Sequence, residues 1–343
     1  MFPLLLLDPV SCENVLNQLN PYELFKFSLC SKISNLLARN VAVKVNDSFS
    51  LDIHLDESYS IGIQYETSHV FEYFSCRSNT IHNMLGDSSI VSKSVEHGKL
   101  NGNGPSMFHT SDEKNVETYW EDEVVGFKLL IEYVMNLYDK PIDILYFHKT
   151  DSLKSIEILR WINTRQGSIR FGHFDLCHVN SDHTLSRILD QIKNINELDL
   201  VMLPGSEFIK NDTRRYEFEE LTITNGYWVT LPRLVDMNCH ILNVSGTELT
   251  NYDVNSFLKM WINGELDKLK LMTLNILEVD ILKIMEGIQY LKKRNYSGES
   301  FSVSLDITKN DIFYIICRTD GLAASTYVTK FGNHLVFNME VGK

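Results

Sequence analysis

Cysteine pairing is the first thing missing. Cys12, Cys30, Cys76, Cys177, Cys239 and Cys317 form no close pair, which excludes zinc-finger spacing and a dense disulfide framework. Positive charge is also short. Lys plus Arg number 32 against 45 Asp plus Glu, a formal charge of −13, and this field repels phosphate backbones and anionic lipid. Neither nucleic acid nor a membrane surface is an expected partner. No apolar run reaches the roughly 20 residues of a bilayer span. The longest candidate, residues 124–135, contains Lys128 and Glu132. The apolar opening before Asp8 has no basic flank and contains Pro3, so it does not read as an export signal, and a cytoplasmic or nuclear protein is expected. Glycosylation-type triplets starting at Asn46, Asn211, Asn243 and Asn295 then carry no meaning. The metalloprotease, nucleophile-elbow and dinucleotide motifs are absent as well. Residues 101–105 hold two glycines but no Lys followed by Ser or Thr, so no phosphate cradle is expected.

What is present is a chain that folds. With 44% apolar and 22% charged residues over 343 positions, it has enough buriable surface for two or three units. The first forty residues read as helical. Val15, Leu16 and Leu19 share a face of one helix. Asn20-Pro21 with Glu23 reads as a capping box opening a second. Tyr22, Phe25, Leu29, Ile33 and Leu36 form one core-facing stripe along it, while Leu24 and Phe27 lie on the opposite side. A unit this small cannot bury both faces, so Leu24 and Phe27 are expected to meet a partner.

After Asn40 the period becomes two. Phe49, Leu51, Ile53 and Leu55 alternate with polar residues, as do Tyr59, Ile61, Ile63 and Tyr65 beyond Asp56-Glu57-Ser58, and an antiparallel hairpin with a polar exposed face is predicted. Residues 75–122 lose periodicity, turn acidic and read as a loop or linker.

From Val124 short apolar strands alternate with helical patterns. Strands are predicted at 142–147, 171–177, 198–203, 221–224, 241–244 and 269–276, with helices at Leu185 to Ile192, Val254 to Trp261 and Ile281 to Ile288. Thr250 with Asp253 caps the second of these. Strand, crossover helix and strand imply parallel pairing, in an open doubly wound sheet or a leucine-rich-repeat-like solenoid; the short, similar repeats favour the solenoid. Strand-like blocks at 301–307, 312–317 and 335–339 close the end. The expected class is thus α/β: a helical domain at 1–40, a hairpin and irregular acidic linker at 41–122, and a repeat domain with parallel strands at 123–343.

Few residues suggest chemistry. His173, Asp175 and Cys177 share one face of a strand, yet side chains two apart lie about 6.5–7 Å apart at the backbone, too far for a triad. His178 and His183 lack a third metal ligand in register. Trp161, Trp228 and Trp261 fall on helix-facing positions and read as core. No catalytic residue, metal or cofactor is assigned, and the chain is read as non-catalytic. Asp175, Asp199 and Thr222 are weak candidates for contact with a bound protein.

The segments Phe2-Pro3-Leu4-Leu5, Val15-Leu16, Asn20-Pro21-Tyr22-Glu23-Leu24 and Phe27 to Lys32 resemble the F-box of nematode F-box proteins. Leu159 to Asn163, Trp228 to Leu231, Met237-Asn238-Cys239 and Thr250 to Ile262 resemble the F-box-associated domain of the same families, of the F-box B-like kind. The resemblance implies the substrate-recognition subunit of an SCF-type cullin-RING ubiquitin ligase. Pro3, Leu4, Pro9, Val15, Leu16, Leu19, Leu24 and Phe27 would then bind the Skp-type adaptor, and through it cullin. The C-terminal domain would bind the target protein. The alternative is a protein-binding scaffold whose F-box, changed at Asp8, no longer engages the adaptor.

Overall fold

A computed structural model describes residues 6–44, 49–56, 58–65, 71–78, 107–112, 115–148, 152–294, 312–331 and 334–342. The chain divides into two compact units. One comprises Met1–Gly172 with Arg187–Asn194, and the other His173–Ser186 with Ile195–Lys343. The division falls inside a strand rather than at residue 122.

The first unit begins with α1 (Pro9–Leu16), α2 (Pro21–Leu29) and α3 (Lys32–Ala42). Asp8 caps α1 by accepting from Val10 N and Ser11 N, both at 3.1 Å. The capping box of α2 forms as read: Asn20 Oδ1 accepts from Glu23 N at 2.8 Å, and Asn20 N donates to Glu23 Oε2 at 2.9 Å. The single long second helix does not form. Ser31 takes an extended conformation and accepts from Ser34 N at 3.0 Å, starting α3 afresh, so Ile33 and Leu36 rotate out of the stripe to 60% and 63% exposure.

Behind these helices lies a mixed sheet in the order β6-β1-β2-β3-β5-β4. Its strands are β1 (Phe49–Leu55), β2 (Tyr59–Tyr65), β3 (Phe71–Ser78), β4 (Met107–Asp112), β5 (Asn115–Trp120) and β6 (Ile144–His148). The predicted hairpin is β1 with β2, antiparallel with Ile53 opposite Ile61. The linker reading of 75–122 is corrected where the chain is described, because three strands occur there and β5 pairs parallel to β3. Residues 79–106 lie outside the described set. α4 (Glu123–Tyr138) follows, with Asp122 as its N-cap. The α2 face of Tyr22, Phe25 and Ser28 meets these elements: Phe25 packs on Phe74 at 4.0 Å between ring centroids, Ser28 Oγ bonds Tyr133 Oη at 2.8 Å, and Tyr138 Oη donates to the Pro21 carbonyl. α5 (Ser152–Arg165) precedes β7 (Ile169–Asp175), the strand that crosses from one unit into the other.

In the second unit the strand order is β8-β9-β10-β11-β15-β14-β13-β12. β8 (Ile195–Val201), β9 (Glu220–Thr224), β10 (Ile241–Val244) and β11 (Leu271–Leu274) run parallel in chain order, joined through α7 (Ser206–Asn211), α8 (Leu231–Asp236) and α9 (Asn251–Ile262). α6 (Asp182–Leu189) precedes β8, and α10 (Ile281–Ile284) follows β11 as a single turn. Antiparallel strands complete the sheet: β12 (Leu291–Arg294), β13 (Ile312–Cys317), β14 (Ala323–Phe331) and β15 (His334–Val341), the last pairing with β11. The predicted block at 301–307 lies outside the described residues. Sequence reading missed β12 and β14.

Register explains why this sheet holds. Leu198, Leu221, Leu242, Met272 and Met339 occupy one rung, and Leu200, Ile223, Val244, Leu274 and Phe337 another, all of them buried. Each such side chain contributes about 1.5–3 kcal/mol by burial. The strands therefore turn one apolar face inward and leave the opposite face to the residues between these rungs.

Candidate functional site

Alternation along β8–β11 places two rungs on that opposite face. The first is Glu197, Glu220, Ile241, Leu271 and Glu340, and the second is Asp199, Thr222, Asn243, Thr273 and Asn338. A hollow of about 510 Å³ opens over them, floored by Glu220, Thr222, Asn243 and Thr273 and bordered by Thr329 and Asn338.

The polar side chains of this floor bond laterally to one another. Asn243 Nδ2 donates to Glu220 Oε1 at 3.1 Å and to Thr222 Oγ1 at 3.3 Å. Thr273 Oγ1 donates to Asn338 Oδ1 at 3.3 Å, and Asn338 Nδ2 donates to Thr329 Oγ1 at 2.9 Å and to the Val336 carbonyl at 3.0 Å. Carboxylate and carbonyl oxygens only accept, so the bonds to Glu220 and Val336 fix which way both carboxamides face. Burial raises the Glu220 pKa, the neighbouring Glu197 charge raises it further, and the Asn243 bond opposes both. The groove thus combines half-buried Ile241 and Leu271 with a floor rich in acceptors.

At the start of the same unit, His173 Nδ1 lies 2.7 Å from Asp199 Oδ2, and this bond raises the imidazole pKa against the effect of burial. Asp175 is otherwise engaged, accepting from Cys177 N at 3.1 Å. Burial and the Asp175 charge push the Cys177 thiol up, away from the reactive thiolate. His173, Asp175 and Cys177 therefore do not assemble into a nucleophile, base and orienting acid. Asp199 and Thr222, singled out from sequence, are register neighbours on the polar face. Among the described residues no three His, Cys, Asp or Glu side chains converge in a metal-holding group, His178 and His183 included. Trp228 and Trp261 are buried, with Arg233 and Arg318 over their rings at 5.6 and 5.8 Å. Trp161 is half-buried under Arg165.

The sequence reading missed a second polar cluster, in the first unit. Asp52 and His54 lie on the face of β1 opposite the core residues Leu51, Ile53 and Leu55. The expectation that this hairpin face is exposed is corrected, since Asp52 is fully buried. The His54 ring stacks on Tyr146 at 4.6 Å and meets the edge of Tyr73, while its Nε2 and Asp52 Oδ2 make no hydrogen bond. Burial, then the Asp143 charge, moves Asp52 up to about 6; burial, then His148, moves His54 down to about 4.

The eight residues expected at an adaptor surface separate. Pro3 and Leu4 lie outside the described residues. Pro9 and Val15 are exposed, and Leu19 and Phe27 are half-buried. Leu16 and Leu24 are buried at 1% and 0% exposure, so the chain itself covers the side chains expected to reach outward. The reason is size: α3, β3 and α4 join α1 and α2 in one unit, which has room for both faces of α2. The exposed apolar side chains of this segment are instead Leu6, Val10, Val15, Ile33, Leu36 and Val43.

Residues 214–274 match the family described as F-box associated. The match runs through β9, β10 and β11, the floor of the groove. Along almost its whole length the chain is also similar to two Caenorhabditis elegans proteins. It is 21% identical over 337 residues to the Skn-1 dependent zygotic transcript 15 protein, covering 96% of this chain and 94% of that one. It is 21% identical over 342 residues to the uncharacterized protein F59B2.9, covering 95% of this chain and 75% of that one. No solved structure matches. The chain is thus similar to the F-box-associated family over 214–274, and to these two nematode proteins over nearly its whole length.

Proposed function

We propose that this chain is the substrate-recognition subunit of an SCF-type cullin-RING ubiquitin ligase, of the nematode F-box B-like kind. The observation that carries the reading is the coincidence of the F-box-associated match, 214–274, with the strands that floor the polar groove. The repeated strand-helix units, read as leucine-rich-repeat-like, hold a target protein on that face. The N-terminal helices bind the Skp-type adaptor, and through it cullin. Catalysis is then by proximity, the ligase bringing the target to a separate conjugating enzyme.

The adaptor surface is assigned to Val10, Val15, Ile33 and Leu36 rather than to Leu24. Burying four such side chains gives about 1.5–3 kcal/mol each before association costs. Asp8, the departure from the usual F-box opening, caps α1 and so has a local structural role that does not require loss of adaptor binding.

A second reading, a scaffold without a ligase role, is favoured by the burial of Leu16 and Leu24. Co-expression of the full chain with a Skp-type adaptor, followed by size-exclusion chromatography, separates the two. A stoichiometric complex at micromolar concentration supports the ligase subunit. Its absence from well-folded protein supports the scaffold.

A further inference from the structure

The groove over β9–β11 is asymmetric in charge. Of the three carboxamides that line it, Asn243 and Asn338 spend their N–H groups internally, on Glu220, Thr222, Thr329 and the Val336 carbonyl, and Asn275 is the third. The described residues that line it include one carboxylate, Glu220, and no cationic side chain. In the next strand Glu197 stands directly opposite Glu220 in the register. Charge in the described lining is thus negative, on Glu220, with Asn243 bonded to it and Ile241 and Leu271 beside it along the rung. Like charges on adjacent strands repel, and a cation placed between them relieves that repulsion. A planar group with several N–H donors and an aliphatic stem matches both parts of this lining.

We infer that the groove receives an arginine side chain, presented by an extended segment of the target protein, with its guanidinium on Glu220 and Asn243 and its stem along Ile241 and Leu271. The inference rests on the reading that this face holds the target, and it specifies the chemistry recognised. The raised Glu220 pKa agrees with it, because burial and the Glu197 charge, which disfavour the carboxylate, are what a bound cation would offset. Thr222 and Thr273, flanking Asn243 in its rung, border the same space.

The test uses the full chain and fluorescein-labelled octapeptide pools whose central residue is either arginine or citrulline, the neutral isostere. Binding is read by fluorescence anisotropy. The arginine pool is expected to bind at least about tenfold more tightly. Glu220→Gln should erase that preference, while Glu207→Gln, an equal charge change on exposed α7, preserves it. Thermal unfolding of each variant confirms that it is folded. If both pools bind equally and the groove-filling variant Thr273→Trp abolishes both, the arginine inference is overturned while target binding in the groove stands. Binding of neither pool, or binding unaffected by Thr273→Trp, overturns the inference and removes the groove from target recognition as well.

Discussion

Asn243 Nδ2 donates to Glu220 Oε1 at 3.1 Å, tying β10 to β9 across the polar face of the second unit. The bond favours the charged form of Glu220 and partly offsets burial and the Glu197 charge, which raise its pKa. Asn243→Leu removes the donor, so the Glu220 pKa rises further above its unfolded value. A carboxyl whose folded pKa is raised costs stability above that pKa and none well below it. The variant is expected to lose about 0.5–1.5 kcal/mol at pH 7 and less at pH 4, measured by urea unfolding at the two pH values. Equal losses at both would show that the bond does not govern Glu220.

Asp52 and His54 make opposite contributions over one pH window. Asp52 titrates near 6 when folded against 3.8 unfolded, so its contribution to stability falls as pH rises from about 4 to 6. His54 titrates near 4 when folded against 6.5 unfolded, so its contribution rises between about 4 and 6.5. The two nearly cancel in the native protein. His54→Gln should leave stability falling with pH by up to about 3 kcal/mol, and Asp52→Asn should leave it rising by a similar amount. Parallel pH profiles in the two variants would contradict the assignment.

Gly126 in α4 lies under the Trp120 ring, where an added Cβ would stand 2.2 Å from Trp120 Cγ. Gly126→Ala is expected to cost about 1–3 kcal/mol through overpacking, despite the better helix propensity of alanine. Gly167→Ala meets nothing within 4 Å and should change stability by less than about 1 kcal/mol, in the stabilising direction. Chemical denaturation of both variants decides this, and equal stabilities would refute the packing.

The parallel strands β8–β11 were legible because each carries a short buried apolar core at a regular interval, and the capping boxes at Asn20 and Thr250 because they are local. β12 was not, since Leu291–Arg294 is exposed at every position and shows no alternation. β4 and β5 sit in an acidic stretch without alternation; β4 pairs antiparallel with its sequence neighbour β5, and β5 pairs in turn with the more distant β3. Leu24 was misread because helical periodicity reports which residues share a face but not how many neighbouring elements cover it. Of the polar face, Asp199 and Thr222 were visible on strand parity alone; Glu220, Asn243 and Asn338 needed the register between strands, which periodicity does not supply.

Burial separates the adaptor-surface variants. Leu24→Ala should cost about 2–5 kcal/mol of stability, so any loss of adaptor binding in that variant tracks unfolding. Ile33→Asp with Leu36→Asp replaces exposed side chains, and should change stability by no more than about 0.5 kcal/mol per site while abolishing the adaptor complex. Pull-down of the adaptor alongside thermal melts checks both. Full adaptor binding by the double variant would move the surface elsewhere.

The polar strand face of the second unit as the seat of the target is tested most directly by placing a photo-crosslinking amino acid at Thr222 or at exposed Lys283, in the native cell. The prediction is that Thr222, and not Lys283, captures a discrete polypeptide whose ubiquitination and turnover depend on this chain. Capture of the same polypeptides from both positions, or of a polypeptide whose turnover is unchanged when the chain is removed, would contradict it.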